Sequence, residues 1–280
     1  MKSDDPVHVF EAEAMNTQFV IRIHHPVRSL AFGLAGNCFC QLEDLESELS
    51  RYRVDSEVSR INALEAGASM LLADATHRCI QRAMEATAAT AGLFDITIGA
   101  LTVRPQENPG EKDPSAGQLV LSPDRPQITC EVPGRQIDLG GIGKGFALDE
   151  MAVTLSDLDI GSAFLSSGGS THLALGEKPW NVELVGDENR FKLQLKGRAL
   201  SSSGTAELGS HVLHPDTGKA PEYAFKRVWV ICDSAAHADA YSTACLLMDE
   251  DEMRGFVASQ DGQVELYVES HEDHSIRRIV

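Results

Sequence analysis

The chain has no paired-cysteine pattern. Its six cysteines, Cys38, Cys40, Cys79, Cys130, Cys232 and Cys245, are scattered without C-x-x-C spacing, which excludes a structural zinc site of that kind and a disulfide framework and leaves buried free thiols as the reading. It also has no apolar run of membrane-spanning length. Residues 1–10, MKSDDPVHVF, hold acidic side chains where a leader would hold an apolar segment, so the expected location is cytoplasmic; a removed leader would instead imply the periplasm or a membrane anchor. Positive charge is scarce, with 24 basic against 42 acidic residues in 280 and a net charge of -18. That field repels a nucleic-acid backbone and an anionic membrane surface. An anionic nucleotide is then an awkward ligand unless a local basic group, a helix end or a bound cation offsets the repulsion.

What is present is an ordinary globular composition, 42% apolar, sufficient for one large core or two smaller ones. Residues 8–23, HVFEAEAMNTQFVIRI, alternate as a hairpin or one long strand, with Asn16-Thr17 as the bend. Leu30, Leu34, Cys38, Leu42 and Leu45 recur at helical spacing and predict a helix over 29–50, on which Glu43, Asp44, Glu46 and Glu48 read as a solvated face. A second helix is expected over 75–91, then a strand or turn over 93–101. Residues 104–118, RPQENPGEKDPSAGQ, read as an exposed loop and a lobe boundary within a single catalytic unit spanning 1–280. Strands are expected over 127–132, 136–139, 163–165, 180–185, 191–195, 212–214, 228–232 and near 264–268, with helices from the glycine loop to about 155 and over 235–248. Strands meeting at turns, with few βαβ units, point to an α+β fold.

Chemistry concentrates in a few segments. Ile137-Asp138-Leu139-Gly140-Gly141-Ile142-Gly143-Lys144-Gly145-Phe146-Ala147-Leu148-Asp149 places four glycines and a lysine between a carboxylate and a helix. Glycines let backbone N–H groups approach an anion, and a lysine adds charge beside the positive helix end. The spacing fits neither the dinucleotide fingerprint nor the P-loop, and the same residues also suit a tight strand-to-helix turn. Phe164-Leu165-Ser166-Ser167-Gly168-Gly169-Ser170 and Ser201-Ser202-Ser203-Gly204-Thr205 each read as a strand ending in a polar turn, able to cradle an oxyanion or simply to turn the chain. His211 and His214 are three apart, on opposite faces if the segment is a strand, so one of them suits a general base better than both suit a metal. Asp239 and Thr243, four apart, share a helix face, and Ala236, Ala240 and Ala244 keep that surface lean. Two hard oxygen ligands on one face suit magnesium.

In their order these segments closely resemble the ApbE family, the FAD:protein FMN transferases. The resemblance also takes in Met15-Asn16-Thr17, Ser50-Arg51-Tyr52 through Ser56-Glu57-Val58-Ser59-Arg60-Ile61-Asn62, and Phe94-Asp95-Ile96-Thr97-Ile98-Gly99. It implies an α+β fold of two T-fold-like halves, with mainly antiparallel sheets flanked by helices. It further implies a magnesium-dependent enzyme that cleaves the pyrophosphate of FAD, attaches FMN by a phosphoester to Ser or Thr of a target flavoprotein, and releases AMP. Carried over by motif position, Met15, Tyr52, Leu93, Phe94, Asp95, Asp138, Lys144 and Leu213 would line the FAD site. The Gly141 carbonyl, Asp239 and Thr243 would hold the metal, and His211 would deprotonate the acceptor hydroxyl.

The chain departs from that family pattern in three places. Asn16 stands where the family usually has Gly, and His214 where it has Asp, from which the loss of an acceptor that a carboxylate would supply is expected. A Leu-Trp-Gly-Phe stretch gives way to the charged loop beginning near Arg104. An FAD-binding or FAD-hydrolysing protein without a protein acceptor is therefore the alternative reading.

Overall fold

Alternating side chains pair the first two strands, β1 (Val7–Ala14) and β2 (Thr17–His24), in a tight antiparallel hairpin. The bend is Met15-Asn16, one residue earlier than expected, with φ of 51° and 57°. A two-residue hairpin loop of type I′ needs this left-handed pair, and Asn tolerates it better than most residues, which accounts for Asn16 at a glycine position. In this computed structural model the described residues are 5–99, 117–205 and 212–280.

Next come α1 (Arg28–Leu49), α2 (Glu57–Asn62), β3 (Ser69–Leu71), α3 (Asp74–Ala89), β4 (Gln118–Leu121), β5 (Gln127–Val132) and α4 (Gly143–Asp157). After them run β6 (Ala163–Ser167), β7 (Thr171–Leu175), β8 (Trp180–Val185), β9 (Arg190–Leu195), β10 (Ala199–Gly204) and β11 (Arg227–Cys232). The chain closes with α5 (Ala235–Cys245), α6 (Glu250–Ser259), β12 (Glu265–Glu269) and β13 (Ile276–Ile279).

The main sheet has eight strands in the order β1-β2-β6-β7-β10-β11-β12-β13, antiparallel throughout. It divides into two halves of the same plan. In the first, β1-β2 and β6-β7 flank an excursion containing α1 to α4; in the second, β10-β11 and β12-β13 flank α5 and α6. This is the α+β architecture of two like halves that the resemblance implied. The halves meet along β7 and β10 through Leu173–Ala199, His172–Leu200 and Thr171–Ser201.

Strand alternation sends one set of side chains to each face. Phe19, Ile21, Leu165, Val230 and Val268 join the helices in the larger core. Phe164, Leu200, Trp229 and Tyr267 face the other way, onto the β8–β9 hairpin with its buried Val182 and Leu184. Both faces of the middle strands are therefore covered, and β6 is buried at every position.

Several sequence expectations are corrected. Residues 136–139 form no strand, because the Asn62 side chain takes both the N–H and the C=O of Ile137 at 2.6 and 2.9 Å, leaving a single bridge between Ile98 and Gln136. Residues 212–214 are irregular as well: the Val212 carbonyl accepts from the Tyr223 hydroxyl at 2.9 Å, and the His214 N–H reaches the Lys219 carbonyl at 2.9 Å. Ser201 to Gly204 lie within β10 rather than in a turn, and α5 ends at Cys245 instead of 248. The expected lobe boundary lies outside the described residues apart from Gly117 and Gln118. All six cysteines are free, but Cys40 is exposed, contrary to the buried reading. Among the described residues no helix is long and apolar enough to cross a membrane.

Candidate functional site

The site forms where α4 and α5 cross above the joint between the halves. A Cβ on Gly145 would sit 2.1 Å from the Ala235 carbonyl oxygen and 2.9 Å from the Ala236 Cα, so only glycine lets the start of α4 lie this close to the start of α5. The Gly145 N–H then donates to Asp239 Oδ2 at 3.2 Å, with Lys144 Nζ 4.0 Å from the same oxygen. Asp239 Oδ1 faces the hydroxyls of Thr171 at 3.5 Å and Ser201 at 3.4 Å, which contact each other at 3.0 Å across the β7–β10 joint. The Asp239 carboxylate is thus buried, 5% exposed, among long contacts from both halves.

One turn along α5, the Thr243 hydroxyl donates to the Asp239 carbonyl at 3.1 Å. The glycine loop runs beside it: a Cβ on Gly141 would lie 3.5 Å from Thr243 Oγ1 and 3.1 Å from the Phe94 ring. Gly141 and the Asp239–Thr243 pair, about 100 residues apart in sequence, therefore meet at one crossing, with Lys144 alongside and its Nζ on the Gly140 carbonyl at 3.1 Å. The buried carboxylate, the hydroxyl and the adjacent backbone make an all-oxygen donor set suited to a hard cation.

A cavity of about 160 Å³ adjoins this crossing and brings together Met15, Tyr52, Asp138 and Lys144, four of the residues expected at an FAD site. Arg51 Nη1 pairs with Asp138 Oδ2, Arg51 Nη2 donates to the Gly99 carbonyl at 3.2 Å, and the Gly140 N–H donates to Asp138 Oδ1 at 2.9 Å. Tyr52 stands at the rim, 79% exposed.

The other expected residues are placed differently. Phe94 is buried against Gly141, Leu93 packs on the core, and neither they nor Asp95 and Leu213 line this cavity. Asp95 is engaged internally, accepting from the Thr97 N–H and hydroxyl at 2.7 Å each and from Arg135 at 3.0 Å. His211 lies outside the described residues. His214 sits in a local turn, its Nδ1 3.3 Å from the Asp216 N–H. The polar turn after Phe164-Leu165-Ser166, read as an oxyanion cradle or a plain turn, pairs within the fold at Gly168, whose N–H donates to the Gln18 carbonyl at 2.8 Å.

Two further wall residues escaped the sequence reading. Glu46, assigned to a solvated face, accepts from the Met15 N–H at 2.9 Å and lines the cavity, tying the hairpin bend to α1. Its signal was position: four residues before Ser50, it sits one turn from the Ser50-Arg51-Tyr52 segment. Arg51 was quoted in that segment without a role, and its basic character opposite Asp138 was the cue.

Fold and site together define an α+β protein of two like halves, with an oxygen-donor set where the halves meet and a cavity beside it lined by the first half. The chain belongs to the ApbE family, whose model matches residues 15–268. Similar relatives include the FAD:protein FMN transferase of Escherichia coli K12, 26% identical over 251 residues that cover 78% of this chain and 71% of that protein. The enzyme of the same name from Vibrio cholerae is 23% identical over 80% of this chain and 75% of its own. Among solved structures, the apo flavinyl transferase ApbE of Pseudomonas stutzeri superposes with a TM-score of 0.84 at 23% identity, covering 99% of this chain and 96% of that one. The flavin transferase ApbE of Vibrio cholerae gives 0.82 at 21% identity, with 98% and 97% covered. At these identities the structural likeness speaks for the fold.

Proposed function

We propose that the chain is a magnesium-dependent FAD:protein FMN transferase acting as one catalytic unit. The observation that carries this reading is the meeting of Gly141, Asp239 and Thr243 beside the Asp138–Lys144 cavity, in a chain whose relatives bear that activity in their names. In the reaction, the acceptor Ser or Thr oxygen attacks the FMN phosphorus, the bond to the bridging pyrophosphate oxygen breaks, and AMP departs with that oxygen.

The residues present fit a magnesium ion. Asp239 is a buried carboxylate whose Oδ1 has, among the described residues, only long hydroxyl contacts, and Thr243, having donated its proton to the helix, keeps lone pairs for a cation. When bound, the ion would neutralise charge developing on the pyrophosphate. Lys144 adds a point charge on the same side, which a chain of net charge -18 needs for an anionic substrate. Asp138, held by Arg51 and Gly140, orients donors of the nucleotide, and Met15 and Tyr52 supply apolar and aromatic wall. His211 takes the proton of the acceptor hydroxyl.

The test is incubation with FAD, Mg²⁺ and a flavoprotein fragment bearing an acceptor Ser or Thr. Covalent fluorescent flavin on the fragment supports transfer, whereas AMP and free FMN without labelling would assign FAD hydrolysis instead. Asp239→Ala is expected to abolish metal-dependent turnover while FAD is retained, and turnover at the wild-type rate in that variant would refute the metal assignment.

A further inference from the structure

The metal-binding residues proposed above sit on two elements, the glycine loop leading into α4 and the helix α5, so their geometry depends on how rigidly those elements are joined. Gly145 permits the close approach. One turn further along α4, Asp149 reaches the N-terminus of α5: Oδ1 accepts from the Ala235 N–H at 2.8 Å, and Oδ2 accepts from the Ala236 N–H at 3.0 Å and from the Ser234 hydroxyl at 2.7 Å. Ser234 in turn accepts the His237 N–H on its side chain at 3.2 Å and the Ala238 N–H on its carbonyl at 2.9 Å.

A helix begins with four N–H groups that have no partner of their own. Here the His237 N–H is satisfied by the Ser234 side chain of the same chain segment, and the Ala235 and Ala236 N–H groups by a carboxylate from a different helix. Ser234 alone would cap α5 but would not fix its position relative to α4. Asp149 does both, and its charge lies at the positive end of the helix. Asp239 is on the next turn of the same helix, and its Oδ2 is held by the Gly145 N–H, four residues before Asp149 on α4.

We infer that Asp149 is a positioning residue for the metal centre: by clasping the N-terminus of α5 it sets Asp239 and Thr243 against the glycine loop. The inference rests on the proposed metal site. A group that orients a ligand typically changes metal affinity by about 10–100-fold when lost.

Mn²⁺ serves as the probe, its binding followed by electron paramagnetic resonance in the presence of FAD, for the wild type, Asp239→Ala, Asp149→Ala and Asp149→Asn. FAD retention without metal and the metal-free melting temperature are measured alongside. Asp149→Ala is expected to weaken Mn²⁺ binding about 10–100-fold with FAD retention unchanged. Asp149→Asn keeps the shape and one acceptor oxygen and should fall between, and it decides the question if the alanine variant does not fold. Wild-type Mn²⁺ affinity in Asp149→Asn would overturn the inference, as would parallel losses of FAD and Mn²⁺ binding, which mark a merely structural part. Failure of the wild type itself to bind Mn²⁺ would overturn the metal reading, and this inference with it.

Discussion

Gly145→Ala is the sharpest perturbation of the helix crossing, because ordinary helix propensity and the structure predict opposite signs for it. In an open helix position the substitution gains about 1 kcal/mol. At Gly145 the new Cβ would lie 2.1 Å from the Ala235 carbonyl oxygen, where ordinary contact starts at 3.4 Å, so α4 and α5 must part by more than about 1 Å. Overpacking of this kind costs about 1–3 kcal/mol, and stretching the Gly145 N–H bond to the Asp239 carboxylate forfeits about 1.5–3 kcal/mol more. Set against the propensity gain, the net loss is about 1.5–5 kcal/mol, or roughly 3–20 °C in melting temperature at about 2–4 °C per kcal/mol. Gly33→Ala on α1, where a Cβ meets nothing within 4 Å, is the control and should melt at or above the wild type. Differential scanning calorimetry without metal measures both. A Gly145→Ala protein that matches Gly33→Ala would refute the close crossing and the role assigned to this glycine.

The remaining predictions concern pH and the cavity wall. Burial, reinforced by the Arg22 charge, holds His172 down at about 4 against an ordinary 6.5, so the folded protein keeps it neutral while the unfolded chain takes up a proton. Its contribution is complete above pH 6.5 and is lost as pH falls through that value towards 4, amounting to about 3 kcal/mol at ~1.4 kcal/mol per pH unit; urea midpoints should therefore converge between wild type and His172→Gln on acidification, and a constant gap would disprove the assignment. Glu46→Ala strips the Met15 N–H of its acceptor, at a cost of about 1–3 kcal/mol, and should loosen FAD retention measured by flavin fluorescence. Glu46→Gln preserves the acceptor and should retain FAD, so equal losses would show that charge rather than the bend is what Glu46 supplies.

Elements with a clean period were legible in the sequence. The leucine series of α1, the alternation of β1 and β2 and the i, i+4 pair Asp239–Thr243 needed no tertiary information. What escaped were segments whose local pattern was overruled from a distance. Asn62 captures the backbone of Ile137 and prevents the strand expected there. The serines of β10 read as a turn because small polar residues favour turns, yet Ser201 and Ser203 point to the helix layer, where Ser201 meets Asp239 and Ser203 meets the Ser242 hydroxyl at 2.9 Å. Glu46 looked solvated because nothing in α1 shows that Met15, 31 residues earlier, brings it an N–H.

That serine misreading exposes the logic of the site. A strand inside a sheet is expected to bury apolar side chains, and β10 buries hydroxyls because the layer above it holds a carboxylate rather than a hydrocarbon. Asp239 is contacted from α4 and β7 of the first half and from β10 of the second, while its own helix belongs to the second. One of the pairs that join the halves, Thr171–Ser201, thus also holds Asp239, and any drift of one half against the other would change the spacing between Gly141 and Thr243. A cation bound across that crossing would be favoured only by the docked arrangement, so by linkage it would also stabilise the docking. Small side chains at the crossing, Gly145, Ala235 and Ala236, allow the two helices to come this close, and on the proposed metal site that closeness is what would let donors on different halves share one ion.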